Sequence, residues 1–296
     1  MAIVTGTDAS ERIGPRLVSR TVVGIPGEDA DTITGGLGND LIDAAGGDDL
    51  IFADRSGTVA TGRLGNDRVL GGAGRDEILG DAEGLEGRAI AGRDRLEGLG
   101  EDDVIFGDAR VLRDAATGGG DFLAGGAGDD LLWGDGRELR GAARGGNDTL
   151  LGGAGRDRLF GDALLTDATA LGGRDRLDGG GDDDLLWGGG GRDLLIGGGG
   201  ADTFVMAPGM ERDRILDFDS SVDKLDVGLF GLDFGRLDSN RDGVIDGRDE
   251  HVTAPGRALQ IDLGAAAGGP AGVDVVTLDR VSALVAGDVV VGFGVA

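Results

Sequence analysis

Single large apolar side chains recur at nine-residue intervals through most of the chain: Ile42, Ile51, Val69, Ile78, Leu96, Ile105, Leu123, Leu132, Leu150, Leu159, Leu177, Leu186, Leu195 and Phe204. Glycine-rich polar turns separate them, as in GGLGNDLID (35–43), GGAGRDEIL (71–79), GGAGDDLLW (125–133) and GGAGRDRLF (152–160). In a triplet such as Arg158-Leu159-Phe160, strand alternation turns the middle side chain inward. The pattern predicts short strands joined by tight turns. Each unit stacks on copies of itself about 4.8 Å away, around an aliphatic core one residue wide per strand.

A second period of 27 residues overlies the first. Every third unit opens on Asp54, Asp81, Asp108, Asp135 or Asp162, and bulky side chains return at Phe52, Leu79, Phe106, Trp133, Phe160 and Trp187. Two coil lengths fit. With 18-residue coils the bulky residues alternate sides and the longer period records duplication alone. With 27-residue coils they form one column, and the third unit becomes a longer third side. The 27-residue coil is the expectation over at least residues 62–187. It gives a repeat region about 32 Å long, against about 48 Å for 18-residue coils.

Aspartates occupy the same grid, two residues before each inward side chain: Asp40, Asp49, Asp67, Asp76, Asp94, Asp103, Asp121, Asp130, Asp148, Asp157, Asp175, Asp184, Asp193 and Asp202, with Asp31 ahead of them. A lone Asp beside glycine commonly caps a turn; in-register repetition on this scale instead points to ligation. The candidate metal ligands are these aspartates with the turn glycines Gly36, Gly38, Gly47, Gly65, Gly72, Gly74, Gly92, Gly119, Gly126, Gly128, Gly146, Gly153, Gly155, Gly173, Gly180, Gly189, Gly191, Gly198 and Gly200, whose carbonyls a tight turn brings close. Carboxylates and carbonyls in a flexible turn suit several Ca²⁺ ions better than Mg²⁺, Zn²⁺ or iron.

The unit GG-x-G-x-D-x-U-x, with U a large aliphatic, resembles the RTX nonapeptide of calcium-binding β-roll proteins over about residues 26–205. The resemblance implies an all-β, right-handed parallel β-roll or β-solenoid with calcium between successive turns. It also implies export by type I secretion machinery, unfolded inside the cell and folded by calcium outside.

Composition narrows the partners. The net charge is −27, from 55 acidic and 28 basic residues, which argues against nucleic acid and anionic membrane as main partners. It also disfavours a compact metal-free state, because stacked carboxylates repel. Glycine numbers 64 and cysteine is absent, so tight turns abound and no disulfide holds the fold. The N-terminus lacks a cleavable signal pattern, and no apolar run approaches the roughly 18 residues of a membrane span. Arg75, Arg93, Arg156, Arg174 and Arg192 precede key aspartates; they read as outward positions offsetting the acidic columns, or as a polysaccharide-binding stripe.

Residues 1–25 read as a lead-in with one worn repeat, Glu11 and Ile13 standing in the key places. Residues 206–296 read as a small C-terminal β cap, which a solenoid needs to close its last edge. The cap resembles the segment following the repeats in secreted RTX proteins, including serralysin-type proteases. Asp288-Val289-Val290-Val291 resembles a type I export signal and reads equally as a final strand. Within the cap, Asp238, Asn240, Asp242, Asp246 and Asp249 take EF-hand loop positions 1, 3, 5, 9 and 12, with Gly243 at 6 and a carbonyl expected from Val244. The terminal Asp in place of Glu resembles dockerin-type loops, and the loop 238–249 reads as one added Ca²⁺ site.

Catalysis is not expected. H-E-x-x-H and G-x-S-x-G are absent, and one histidine, His251, cannot build a zinc site or a Ser-His triad. The leading expectation is a secreted, calcium-folded structural module. The alternative is an extracellular adhesin or carbohydrate-binding module using an exposed Phe/Trp column and the arginines.

Overall fold

Stacked parallel strands dominate the computed structural model, which describes residues 1–16 and 24–292. Three sheets run along the stack. Among the described residues, face one holds eleven strands, beginning with Ile3–Thr5 and ending with Val289–Val290; face two holds twelve; face three holds five, from Arg55–Arg63 to Leu165–Thr166. One coil passes from Arg68–Ala73 on face two to Glu77–Leu79 on face one. It continues to Ala82–Ile90 on face three and returns to Arg95–Gly100 on face two.

The register settles the coil length. Val69 pairs with Leu96, Leu96 with Leu123, Leu123 with Leu150 and Leu150 with Leu177, each a step of 27 residues. The 27-residue expectation therefore holds, and the steps shorten to 18 where face three is missing: Ile33 pairs with Ile51, Leu177 with Leu195 and Leu186 with Phe204. Each 27-residue coil is thus an 18-residue coil with one extra nonapeptide looped out as face three. A neck closes that loop: the carboxylates of Asp54, Asp81, Asp108, Asp135 and Asp162 accept the amides of Gly65, Gly92, Gly119, Gly146 and Gly173 at 2.6–2.9 Å.

Faces one and two enclose the main core, a single file of inward side chains from Val4 and Ile13 through Leu123 and Leu132 to Phe204 and Ile215. Face three has its own small core of Leu85, Leu112, Leu139 and the alanines between them. Burying one Leu or Ile of this kind contributes roughly 1.5–3 kcal/mol.

The bulky 27-residue column lies in one file, and its members up to Phe160 are buried while Trp187, the last, is partly buried. Phe52, Phe106, Trp133 and Phe160 are 2–5% exposed, and Leu79 is fully buried. Phe106, Trp133 and Phe160 stack nearly parallel, with Trp133 and Phe160 centroids 4.0 Å apart. These rings follow the inward residue of each face-one strand and so point away from the main core. They stay dry because face three folds over them. Leu164 of that side packs on the column, and Arg110 reaches from Ala109–Leu112 to Glu77 on face one. An exposed aromatic docking column is thereby corrected to a buried seam.

The lead-in is part of the stack. Val4 pairs with Ile33 and Ile13 with Ile42, so residues 1–14 form the first coil; residues 17–23 of the lead-in lie outside the described residues. The cap also continues the sheets. Arg212–Ile215 and Val275–Asp279 extend face two in parallel, followed by antiparallel Ala258–Asp262 and Val252–Thr253. Lys224–Asp226 and Val289–Val290 extend face one, so Asp288 does lead into a final strand. Among the described residues, no helix is long and apolar enough to cross a membrane.

Candidate metal centres

The grid aspartates assemble into two files, file one immediately before the face-one strands and file two immediately before the face-two strands. In file one, Asp31, Asp49, Asp76, Asp103, Asp130, Asp157, Asp184 and Asp202 follow one another up the stack. The backbone N–H of each donates to Oδ1 of the next at 2.7–3.0 Å. File two runs through Asp40, Asp67, Asp94, Asp121, Asp148, Asp175 and Asp193 in the same manner, at 2.6–2.9 Å. Glu11 precedes it, its amide donating to Asp40.

The amide bond uses one oxygen of each carboxylate. The other, Oδ2, is buried without a hydrogen-bond partner at Asp40, Asp49, Asp67, Asp76, Asp94, Asp103, Asp121, Asp130, Asp148, Asp157, Asp175, Asp184 and Asp193. In file one these oxygens share a small cradle with a carbonyl of the next coil. A Cβ placed on Gly98 would lie 2.1 Å from Asp103 Oδ2 and 2.9 Å from the Gly125 carbonyl. On Gly152 it would lie 2.3 Å from Asp157 Oδ2 and 2.4 Å from the Gly179 carbonyl. Carboxylate and carbonyl oxygens converging from successive coils form the donor set of a hard cation such as Ca²⁺.

Electrostatics agree. Burial raises the carboxyl groups of Asp76 and Asp130 to about 6, of Asp49, Asp157 and Asp184 to about 7, and of Asp103 to about 8. In file two, burial and then neighbouring carboxylates push Asp94 and Asp148 well above the ordinary range. Counting both files and the necks, sixteen aspartates keep an orphaned buried oxygen. At about 1–3 kcal/mol for each unsatisfied buried group, their sum exceeds the 5–15 kcal/mol that stabilises a typical domain. The oxygens need cations or protons.

The turn glycines fall into two kinds. Gly36, Gly38, Gly47, Gly72, Gly74, Gly126, Gly128, Gly153, Gly155, Gly180, Gly189, Gly191, Gly198 and Gly200 hold positive φ in the turns. Gly65, Gly92, Gly119, Gly146 and Gly173 do not; they sit at the neck, where a Cβ on Gly92 would lie 1.8 Å from the Gly65 carbonyl. The arginines are surface groups. Arg75 pairs with Asp102 at 2.8 Å, and Arg192 with Glu211 at 3.4 Å.

The loop 238–249 folds around its ligand positions. Asp238 accepts the amides of Asp242 and Gly243, Asn240 accepts that of Asp242, Asp242 accepts that of Val244, and Asp249 accepts those of Asn240 and Asp246. Ile245, at loop position 8, makes a two-bond bridge to Leu284 that fixes the loop on the cap. The Arg248 guanidinium lies 2.8 Å from Asp242 and 2.7 Å from Asp246, supplying positive charge beside two of the expected ligands. Among the described residues, no three acidic or imidazole side chains form a ready metal cluster. The loop's expected ligands Asp238, Asp242, Asp246 and Asp249 are thus not gathered into such a cluster.

Sequence reasoning missed the ends of both files. Asp193 donates to Asp213 and Asp202 to Asp223, both buried and both off the nine-residue grid. The signal was present, since Asp213-Arg-Ile215 and Asp223-Lys-Leu225 keep the Asp-x-aliphatic motif after the period fails.

Residues 26–56, 59–83, 89–109, 116–136, 142–163 and 169–204, more than half of the chain, match the family described as RTX calcium-binding nonapeptide repeat (4 copies). A search of curated proteins found no match.

Proposed function

The chain belongs to the RTX calcium-binding nonapeptide repeat family, a calcium-binding β-roll, and from that premise we propose a structural module that calcium folds outside the cell. The observation that carries the proposal is the set of sixteen buried aspartate oxygens without a protein partner. While they are ionised and free of metal, the roll is opposed by its own carboxylates. Where free calcium is scarce the chain stays open; where it is plentiful, binding free energy becomes folding free energy. That contrast supports passage through type I secretion machinery as an unfolded chain. It gives the C-terminal segment two compatible roles, export signal and closing strand.

The module is proposed to be non-catalytic, with its carboxylates committed to the stack. A glycan-binding role for the aromatic column is disfavoured by the burial of Phe52, Phe106, Trp133 and Phe160 beneath face three, which leaves Trp187 partly exposed. The test is far-UV circular dichroism from chelator-treated protein, titrated with Ca²⁺ and separately with Mg²⁺. A coil-to-β transition specific to Ca²⁺ is expected. A full β spectrum in chelator at pH 8 would remove the physical basis of calcium-gated folding and of the export argument.

A further inference from the structure

The necks of face three hold carboxylates outside both files. Asp54, Asp108 and Asp135 are fully buried, and each keeps one oxygen without a hydrogen-bond partner after the other has tied the neck glycine. That second oxygen is aimed at other carboxylates. Asp108 sits beside Asp121, thirteen residues on in the same coil: a Cβ on Gly119 would lie 3.1 Å from Asp108 Oδ1 and 2.8 Å from Asp121 Oδ1. A Cβ on Gly118 would lie 2.5 Å from Asp108 Oδ2 and 2.3 Å from Asp135 Oδ1. Asp121 Oδ2 is itself an orphan, and a Cβ on Gly107 would lie 2.6 Å from it and 1.8 Å from the Gly134 carbonyl.

File one has no such companion. The acids acting on Asp130, for instance, are Asp102 and Asp129, both outside the file. The two files are therefore chemically unlike. File one offers one buried carboxylate and carbonyls at each step, whereas file two beside face three offers two buried carboxylates and a carbonyl.

We propose that the necks at Asp108 and Asp135 are two-carboxylate cation sites, in which Asp108 with Asp121, and likewise Asp135 with Asp148, ligate one oxygen-preferring divalent ion that clips face three to the roll. The extra carboxylate makes these sites the tighter class, because calcium affinity rises with the number of charged ligands. The inference rests on the calcium-binding reading and goes beyond it, by dividing the ions into two classes.

The test is calcium binding to the full chain by flow dialysis, comparing wild type with Asp108→Asn/Asp135→Asn and with Asp103→Asn/Asp130→Asn. Wild type is expected to bind in two phases. The neck variant should lose about two equivalents from the tight phase, and the file-one variant about two from the weak phase. Anomalous scattering from calcium-loaded wild-type crystals gives a second readout that needs no variant, with peaks expected between Asp108 and Asp121. Unchanged tight binding in the neck variant, or peaks along file one and none at the necks, would overturn the inference and leave calcium binding intact. Absence of any bound calcium in wild type would overturn the family-based reading as well.

Discussion

At Asp103 one carboxylate does two things: Oδ1 accepts the amide of Asp76, and Oδ2 faces a carbonyl of the following coil. The amide bond favours the charged form, but burial outweighs it and moves the group to about 8. For calcium-free protein the sign follows directly. A pKa higher in the folded than in the unfolded chain contributes stability that is complete at low pH and is lost as pH rises through the folded value. With file one spread from about 6 to about 8, chelated protein is expected to hold β structure near pH 5 and to lose it between pH 6 and 8. Circular dichroism in chelator across that range checks this. Glycine matters as sharply. Gly126 has φ +120°, and a Cβ there would lie 2.3 Å from the Leu99 carbonyl, so Gly126→Ala should cost at least about 1–3 kcal/mol and raise the calcium midpoint of folding. Gly199→Ala meets nothing within 4 Å and serves as the neutral control. The grid aspartates were legible because a period carries them. Their orphaned oxygens were not, since those arise from the amide of the neighbouring coil, a contact 27 residues away.

Face three shows how an element can be read correctly in length and wrongly in exposure. The 27-residue recurrence of Phe106, Trp133 and Phe160 was enough to place them in one column. Their burial depends on the direction in which the extra nonapeptide folds, which the neck hydrogen bonds and the Arg110 reach to Glu77 determine. Strand alternation alone puts these rings outside, and on an 18-residue roll they would be wet. Trp133, stacked between Phe106 and Phe160, should therefore behave as a core residue. Trp133→Ala is expected to cost about 3–5 kcal/mol in denaturant unfolding at saturating calcium. A loss below about 1 kcal/mol would mean that face three does not cover the seam in solution.

Across the whole molecule, the coil is the unit of stability, and each coil touches its neighbours alone. Removal of residues 113–139 joins Leu112 to Arg140, equivalent to the native Leu139–Arg140 step, and keeps every file in register. That deletion should retain calcium-dependent folding and shorten the particle by about 4.8 Å in X-ray scattering. Removal of 18 residues, 113–130, joins a face-three strand to a face-one strand and should abolish cooperative folding. The ends were the least legible part. The lead-in and the cap lack the strict period, and only pairing shows that they complete the sheets at Ile13, Ile215 and Leu225.

The carboxylate files also give the stack a sense. Every amide in them donates toward the C-terminus, from Ala2 and Glu11 at one extremity to Asp213 and Asp223 at the other. One end of the bare roll thus presents acceptors and the other presents donors, and each is complementary to the opposite end of a second copy. Stripped of its lead-in and cap, the roll becomes a heterologous monomer suited to head-to-tail filaments. In that light the irregular terminal segments cover two unlike ends: the first supplies donors, the last supplies carboxylates, and neither could serve in the other's place.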